Sequence, residues 1–327
     1  MIYPQKLKSG DKVAIIAPAK SFSLLSDSLK NIANKRFEDL GLELVFGKHI
    51  NESNESNSST IESRLKDLHS AFKDNTIKGI LTVIGGFNTN QLLKQIDWNL
   101  IKNNPKVFCG FSDITALNNA ILAKTGLVTY SGPHYSTFGQ ELHFEYTLDH
   151  FIKQVITNQD QIIQPSKEWS DDAWYINQQD RNLITNPGVK VINKGKAKGR
   201  IVGGNISTFS LLNGTEYMPI FDETILFLED DEESYSADFD RQLQSIIHQP
   251  WFNSVKGIVI GRFQKASEYE LEDIIRIFSN KNELEQIPVG YGIDFGHTDP
   301  KITIPIGGLC EVDFSEGTSQ IRFLKGN

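Results

Sequence analysis

Lys106–Ala120, KVFCGFSDITALNNA, sets a short apolar run, one glycine and a serine directly before a helical pattern. The run KVFC has the length and β-branched or aromatic content of a buried strand, and Ile114–Lys124 carries helical periodicity. Ser112 therefore sits where a strand turns into a helix, a position that joins two physical advantages. Open α/β sheets gather their chemistry outside the carboxyl ends of their strands, and a helix N-terminus offers free N–H groups with positive partial charge. The surrounding sequence repeats this unit.

Toward the N-terminus, Lys12–Pro18, Glu43–Gly47 and Lys78–Gly85 read as strands, and Val128–Ser131 follows as another. Leu25–Leu40, Thr60–Phe72 and Asn90–Ile96 read as helices between them, with Ser, Thr, Asn or Asp near their starts as capping requires. The alternation predicts an α/β domain with a parallel sheet over residues 1–160. Residues 161–199 lose periodicity, are punctuated by Pro165, Pro187, Gly188 and Gly195, and are expected to form a long connection that contacts substrate. Residues 200–327 are expected to form a C-terminal mixed α+β, barrel-like domain. Its predicted strands are Thr224–Glu229, Gly257–Arg262, Val289–Ile293, Lys301–Ile306 and Gln320–Leu324, with helices near Ser207–Leu212, Ser236–His248 and Ser267–Phe278.

The bulk composition narrows the function classes. A length of 327 residues favours two packed domains, and 39% hydrophobic residues suffice for their cores. A net charge of −8 argues against nucleic acid, whose phosphates require clustered Lys and Arg, and points to a small-molecule partner. The apolar run near the start is too short for a secretory core or a membrane span, so a cytoplasmic protein is expected. Cys109 and Cys310 lack neighbours at metal-ligand spacing; neither a metal nor a cofactor is expected, and both thiols should be reduced and buried.

Ser112 needs a base and an orienting acid to act as a nucleophile. Among seven histidines, His297, in the glycine-rich turn of VGYGIDFGHTDPKITIPIG, is the preferred base. His134, in TYSGPHYSTFG, is its rival. His49, His69, His143, His150 and His248 read as surface or core-rim residues. Glu229, at the end of the apolar strand TILFLE, is the candidate acid, and most of Asp230–Glu233 reads as a solvated acidic loop. Gly85-Gly86, at the end of LTVIGG, and the N–H of Asp113 are candidate oxyanion donors. Structural alternatives stand beside each assignment: Ser112 or Asp113 as a helix cap, and the glycine pair as a sharp turn or a phosphate cradle.

GFSDIT, VGGN, LFLEDDEE and YGIDFGHTDPKITIPIG, in this order along nearly the whole chain, resemble the LD-carboxypeptidase family of serine peptidases. The resemblance implies an N-terminal α/β domain with Ser112 as nucleophile, a C-terminal domain with Glu229 and His297, and a homodimer without metal. The segments EWSDDAWYINQQD and GKAKGRIVGGNISTFS are similar to the microcin C immunity branch, which cleaves the amide joining an aminoacyl group to a nucleotide analogue. That similarity implies Trp174, flanked by Trp169 and Tyr175, as the ring that stacks on a nucleobase, with burial against the core as its structural alternative. Asn205 of VGGN is a candidate substrate contact or the N-cap of the following helix. The expected partner is an aminoacyl or peptidyl nucleotide or a murein peptide. Two rival functions remain at this stage, a murein LD-carboxypeptidase and a noncatalytic protein that sequesters its ligand.

Overall fold

The structure is a computed structural model that describes residues 1–157 and 159–326. In chain order the first half contains β1 (Lys12–Ile16), α1 (Asp27–Asp39), β2 (Glu43–Phe46), α2 (Ile61–Lys73), β3 (Ile77–Thr82), α3 (Trp98–Asn103), β4 (Val107–Cys109), α4 (Thr115–Thr125), β5 (Thr129–Ser131) and α5 (Glu145–Val155). Ser26, Thr60 and Asp97 cap α1, α2 and α3 through side-chain oxygens that accept backbone N–H bonds, the role their residue types favour. Strands β2, β1, β3, β4 and β5 lie side by side in that order, all parallel. The predicted helix Asn90–Ile96 is instead a 3-10 stretch over Thr89–Gln95.

The second half begins with β6 (Gln161–Ile162), β7 (Glu168–Trp169), β8 (Ile184–Thr185), β9 (Lys190–Asn193), β10 (Gly195–Asn205), α6 (Ile206–Ser210) and β11 (Thr224–Glu229). It continues with α7 (Ser236–Ile247), β12 (Val255–Gly261), α8 (Leu271–Ser279), β13 (Val289–Ile293), β14 (Ile304–Ile306), β15 (Leu309–Phe314) and β16 (Gln320–Phe323). The expected structureless connection thus holds four short strands and the start of β10. They escape a periodicity search because strands of two to four residues are too short to show clear alternation.

Eight strands pair in the order β6-β16-β15-β10-β11-β12-β13-β9, with β10 to β13 mutually parallel and the flanks antiparallel. Strands β9 and β10 lie four pairings apart, about 19 Å in a flat sheet, yet only Lys194 separates them in the chain. Two residue steps span at most about 7 Å, so the sheet must curl back on itself as the barrel-like expectation implied. Gly195 marks the closure: a Cβ there would lie 3.3 Å from Cβ of Pro288, just before β13.

One predicted strand changes sheets. The sequence pattern placed Lys301–Ile306 with the second domain, but its strand, β14, pairs antiparallel with β5 and extends the first sheet. Apolar alternation fixes which faces are buried and leaves the pairing partner open. The two sheets are also joined through α4, which is buried on nearly all sides. Asn119 donates to the Gly203 carbonyl of β10 at 2.9 Å and accepts from the Gly203 N–H at 3.2 Å, while the Asn205 N–H donates to Thr115 Oγ1 at 3.1 Å. Among the described residues no helix is long and apolar enough to cross a membrane.

Candidate active site

Four carboxyl ends of the first sheet converge on one cleft of about 390 Å³. Lys20 follows β1, Gly85 and Gly86 follow β3, Ser112 follows β4 and His134 follows β5; all line it, as do Trp174, Tyr175, His297 and Lys301. This is where an open parallel sheet places its ligands.

Ser112 occupies the left-handed region at φ 60°, a conformation that non-glycine residues adopt at a cost and that turns its side chain out of the strand-to-helix corner. It does not cap α4, whose N-cap residue Ile114 makes no side-chain cap bond. Asp113 caps a neighbour instead. Its carboxylate accepts the N–H groups of Asn88 at 2.9 Å and Thr89 at 3.0 Å, and its carbonyl accepts Thr89 Oγ1 at 2.6 Å. These bonds rivet the segment after Gly85-Gly86 to the Ser112 turn. Burial raises the pKa of Asp113, and the backbone donors oppose that rise. The N–H groups of Gly85 and Gly86 donate to no acceptor among the described residues, so both are available to an oxygen in the cleft. A Cβ on Gly85 would meet Ser112 Oγ at 2.9 Å, which explains the need for glycine there.

The candidate acid and base, Glu229 and His297, arrive from the second sheet. Ser112 Oγ lies 3.0 Å from His297 Nε2, and His297 Nδ1 lies 2.7 Å from Glu229 Oε2. Glu229 ends β11 and is 2% exposed. His297 stands in the loop that leaves β13 in one sheet and enters β14 in the other, so the seam itself presents the imidazole. Gly296, at φ 97°, allows this approach; a Cβ there would sit 2.5 Å from Glu229 Oε2. Burial alone would lower the pKa of His297, but the charge and hydrogen bond of Glu229 outweigh it and the net shift is upward. The arrangement can carry a proton: the hydroxyl donates to neutral Nε2, and Nδ1–H donates to the carboxylate.

His134 is placed differently from its rival. It is buried, bonds Thr82 Oγ1 through Nδ1 at 2.8 Å, stacks on Phe111 at 4.4 Å and makes no hydrogen bond to Ser112. Burial, aided by the positive charges of His297 and Lys301, holds it well below the ordinary imidazole range. It is a neutral wall. His150, expected at the surface or core rim, is 4% exposed.

The acidic run also departs from expectation. Asp230, first in the run read as mostly solvated, is 1% exposed. It accepts Asn205 Nδ2 and Ser207 Oγ, each at 2.9 Å, and burial followed by the charge of Glu229 pushes its pKa up to about 6. Donors elsewhere in the fold make that burial tolerable. Asn205 spends its other amide atom as the N-cap of α6, accepting the Thr208 N–H at 3.0 Å, and it is not among the residues lining the cleft. Its amide backs the acid rather than facing the ligand space.

Trp174 and Tyr175 line the cleft, and their rings meet edge to face at 5.9 Å. Trp174 also packs against the first domain's core, the structural alternative considered for it. Trp169 lies instead under the Arg262 guanidinium at 4.9 Å. Phe87, 61% exposed at the cleft, offers a further ring that the sequence pattern did not single out; its position after the glycine pair was the available signal.

Comparisons with known proteins identify the family. The family model described as the LD-carboxypeptidase N-terminal domain matches residues 13–132, and the one described as the C-terminal domain matches residues 198–312. The chain is 33% identical over 292 residues to the microcin C7 self-immunity protein MccF of Escherichia coli, covering 84% of this chain and 82% of that protein. It is 31% identical over 332 residues to a Bacillus subtilis protein named "Probable murein peptide carboxypeptidase", covering 98% and 94%. A solved MccF-like protein from Bacillus anthracis superposes with a TM-score of 0.98 at 47% identity over the whole of both chains. With a strand-end serine, a parallel first sheet and a curled second sheet all in place, the chain belongs to the LD-carboxypeptidase family.

Proposed function

We propose that the protein is a serine amidase that hydrolyses the amide bond of aminoacyl or peptidyl nucleotide analogues, a detoxifying activity of the self-immunity kind. The observation that carries this reading is the continuous line from Ser112 Oγ through His297 to Glu229, at 3.0 and 2.7 Å, within a cleft that also presents Trp174. Solved MccF structures in complex with aspartyl sulfamoyl adenosine and glutamyl sulfamoyl guanosine, each 28% identical to this chain, support the ligand class.

In this mechanism His297 takes the Ser112 proton as Oγ bonds the acyl carbon. The resulting oxyanion rests on the N–H groups of Gly85, Gly86 and Asp113. The C–N bond then breaks, and the proton on His297 passes to the departing nitrogen. Water, deprotonated in turn by His297, frees the acid and restores the hydroxyl. Glu229 keeps the proton on Nδ1 and stabilises the imidazolium.

A murein LD-carboxypeptidase using the same three residues is the second reading, favoured by the cationic side chain of Lys20 in the cleft. A sequestering protein would bind without turnover. Incubation with aminoacyl-sulfamoyl adenosine and, separately, with an LD-linked murein peptide distinguishes all three. The amidase reading expects release of sulfamoyl adenosine that disappears in Ser112→Ala and His297→Ala; binding of the nucleotide without release would overturn it.

A further inference from the structure

The cleft has opposite charges on its two walls. On the wall built by the second domain, Asp231 and Glu233 face the space without an ion pair among the described residues. On the first domain's side two lysines line the cleft, and they are not equivalent. Lys301 is 4% exposed and bonded to Asp299, so its charge is already answered. Lys20 has no carboxylate partner and no side-chain hydrogen bond among the described residues.

A lysine without a partner is ordinary on open surface, but this one is half-buried. Its backbone N–H donates to the Gly85 carbonyl at 3.2 Å, and a Cβ built on Gly86 would lie 3.4 Å from Lys20 Cγ. The side-chain stem therefore runs along the same glycine turn whose N–H groups are open to an oxyanion. A cation held there at the rim of a low-dielectric cleft attracts anions more strongly than one on open surface.

We propose that Lys20 is the anion-recognition residue of this cleft, receiving a negatively charged oxygen group that the substrate carries beyond the scissile amide. A terminal carboxylate and a sulfamate or phosphate share this chemistry. The inference rests on the amide-hydrolase reading above and adds the charge that the leaving half of the substrate must bear. Lys20 acts here as a specificity residue, expressed mainly in KM.

The test compares wild type, Lys20→Met and Lys20→Arg on three probes: an LD-linked peptide with a free terminal carboxylate, the same peptide as its terminal carboxamide, and aminoacyl-sulfamoyl adenosine. A charge-assisted hydrogen bond of ordinary strength corresponds to about 10- to 100-fold in kcat/KM. Lys20→Met is expected to lose that factor on at least one anionic probe, through KM, while the carboxamide is turned over as by wild type and Lys20→Arg restores most of the loss. Which anionic probe loses the factor identifies the source, carboxylate or sulfamate. Equal losses on acid and carboxamide, or no loss on either anionic probe, would overturn the inference while leaving the hydrolase reading intact. Absence of Ser112-dependent turnover of every probe by wild type would remove the hydrolase reading and this inference with it.

Discussion

The Ser112 turn and the loop that presents His297 solve the same problem, holding one side chain to a fraction of an ångström, with different means. Ser112 is fixed locally: its own strained backbone, the next residue's carboxylate and the adjacent glycine turn all lie at the ends of neighbouring strands β3 and β4. His297 is fixed from afar, by a chain segment anchored in one sheet through β13 and in the other through β14. The difference teaches where the molecule is vulnerable. Local turns fail one bond at a time, whereas the seam fails when the two sheets lose registry.

The largest break falls on the seam. Glu229→Gln keeps the shape of the acid but removes the charge that fixes the tautomer of His297, and kcat should fall by roughly 10⁴. The pH profile sharpens this. His297 must be neutral to accept the proton, so activity rises with pH through its pKa, which Glu229 holds above the ordinary 6.5. The acid limb of the wild-type kcat/KM profile, which reports the free enzyme, is therefore expected above that value. In Glu229→Gln it should move to lower pH, and an unmoved limb would dissociate Glu229 from His297.

Next comes the rivet of the local turn. Asp113→Ala strands the buried N–H groups of Asn88 and Thr89, at about 1–3 kcal/mol each. Chemical denaturation should show a loss of roughly 2–6 kcal/mol, with kcat down about a hundredfold as Gly85-Gly86 drifts. A full loss of stability with unchanged kcat in the folded fraction would separate the rivet from the oxyanion turn.

Asn119→Ala attacks the seam without touching the site. It leaves both polar groups of Gly203 unpaired between α4 and β10, and about 2 kcal/mol of stability should be lost in the same measurement. The smallest effect is expected at Trp174. Trp174→Ala should raise KM for a nucleotide-type substrate about tenfold, the scale of one base-stacking interaction, and leave a murein peptide's KM unchanged; steady-state kinetics on both substrates decides.

Legibility in the sequence follows the same division. KVFCGFSDIT announces its strand, corner and helix within ten residues, so Ser112 and the parallel first sheet could be read from periodicity and residue type. Glu229 and His297 could be nominated as strand-end and turn residues, but their union with Ser112 came from the family resemblance, because no local pattern encodes a meeting of residues so far apart in the chain. The pairing of β14 with β5 was hidden for the same reason. Which residue of the acidic run after Glu229 would be buried was not legible, because the Asn205 and Ser207 donors that permit the burial of Asp230 are distant in sequence. His134 was legible as a neighbour of the site, and its engagement by Thr82 was not. The barrel-like curl of the second sheet was expected, but not the strand that closes it: β9 lies in the stretch read as a connection, and its tie to β13 is long-range.

The central claim is that Ser112 attacks the acyl carbon with its proton passing to His297, and acid-quenched mass spectrometry of the enzyme during turnover of aminoacyl-sulfamoyl adenosine tests it most directly. The account predicts a transient mass increase equal to the aminoacyl group, mapped by peptide digestion to the segment containing Ser112 and absent from Ser112→Ala. Turnover that persists in Ser112→Ala, or an acyl adduct mapped to any other residue, would contradict it.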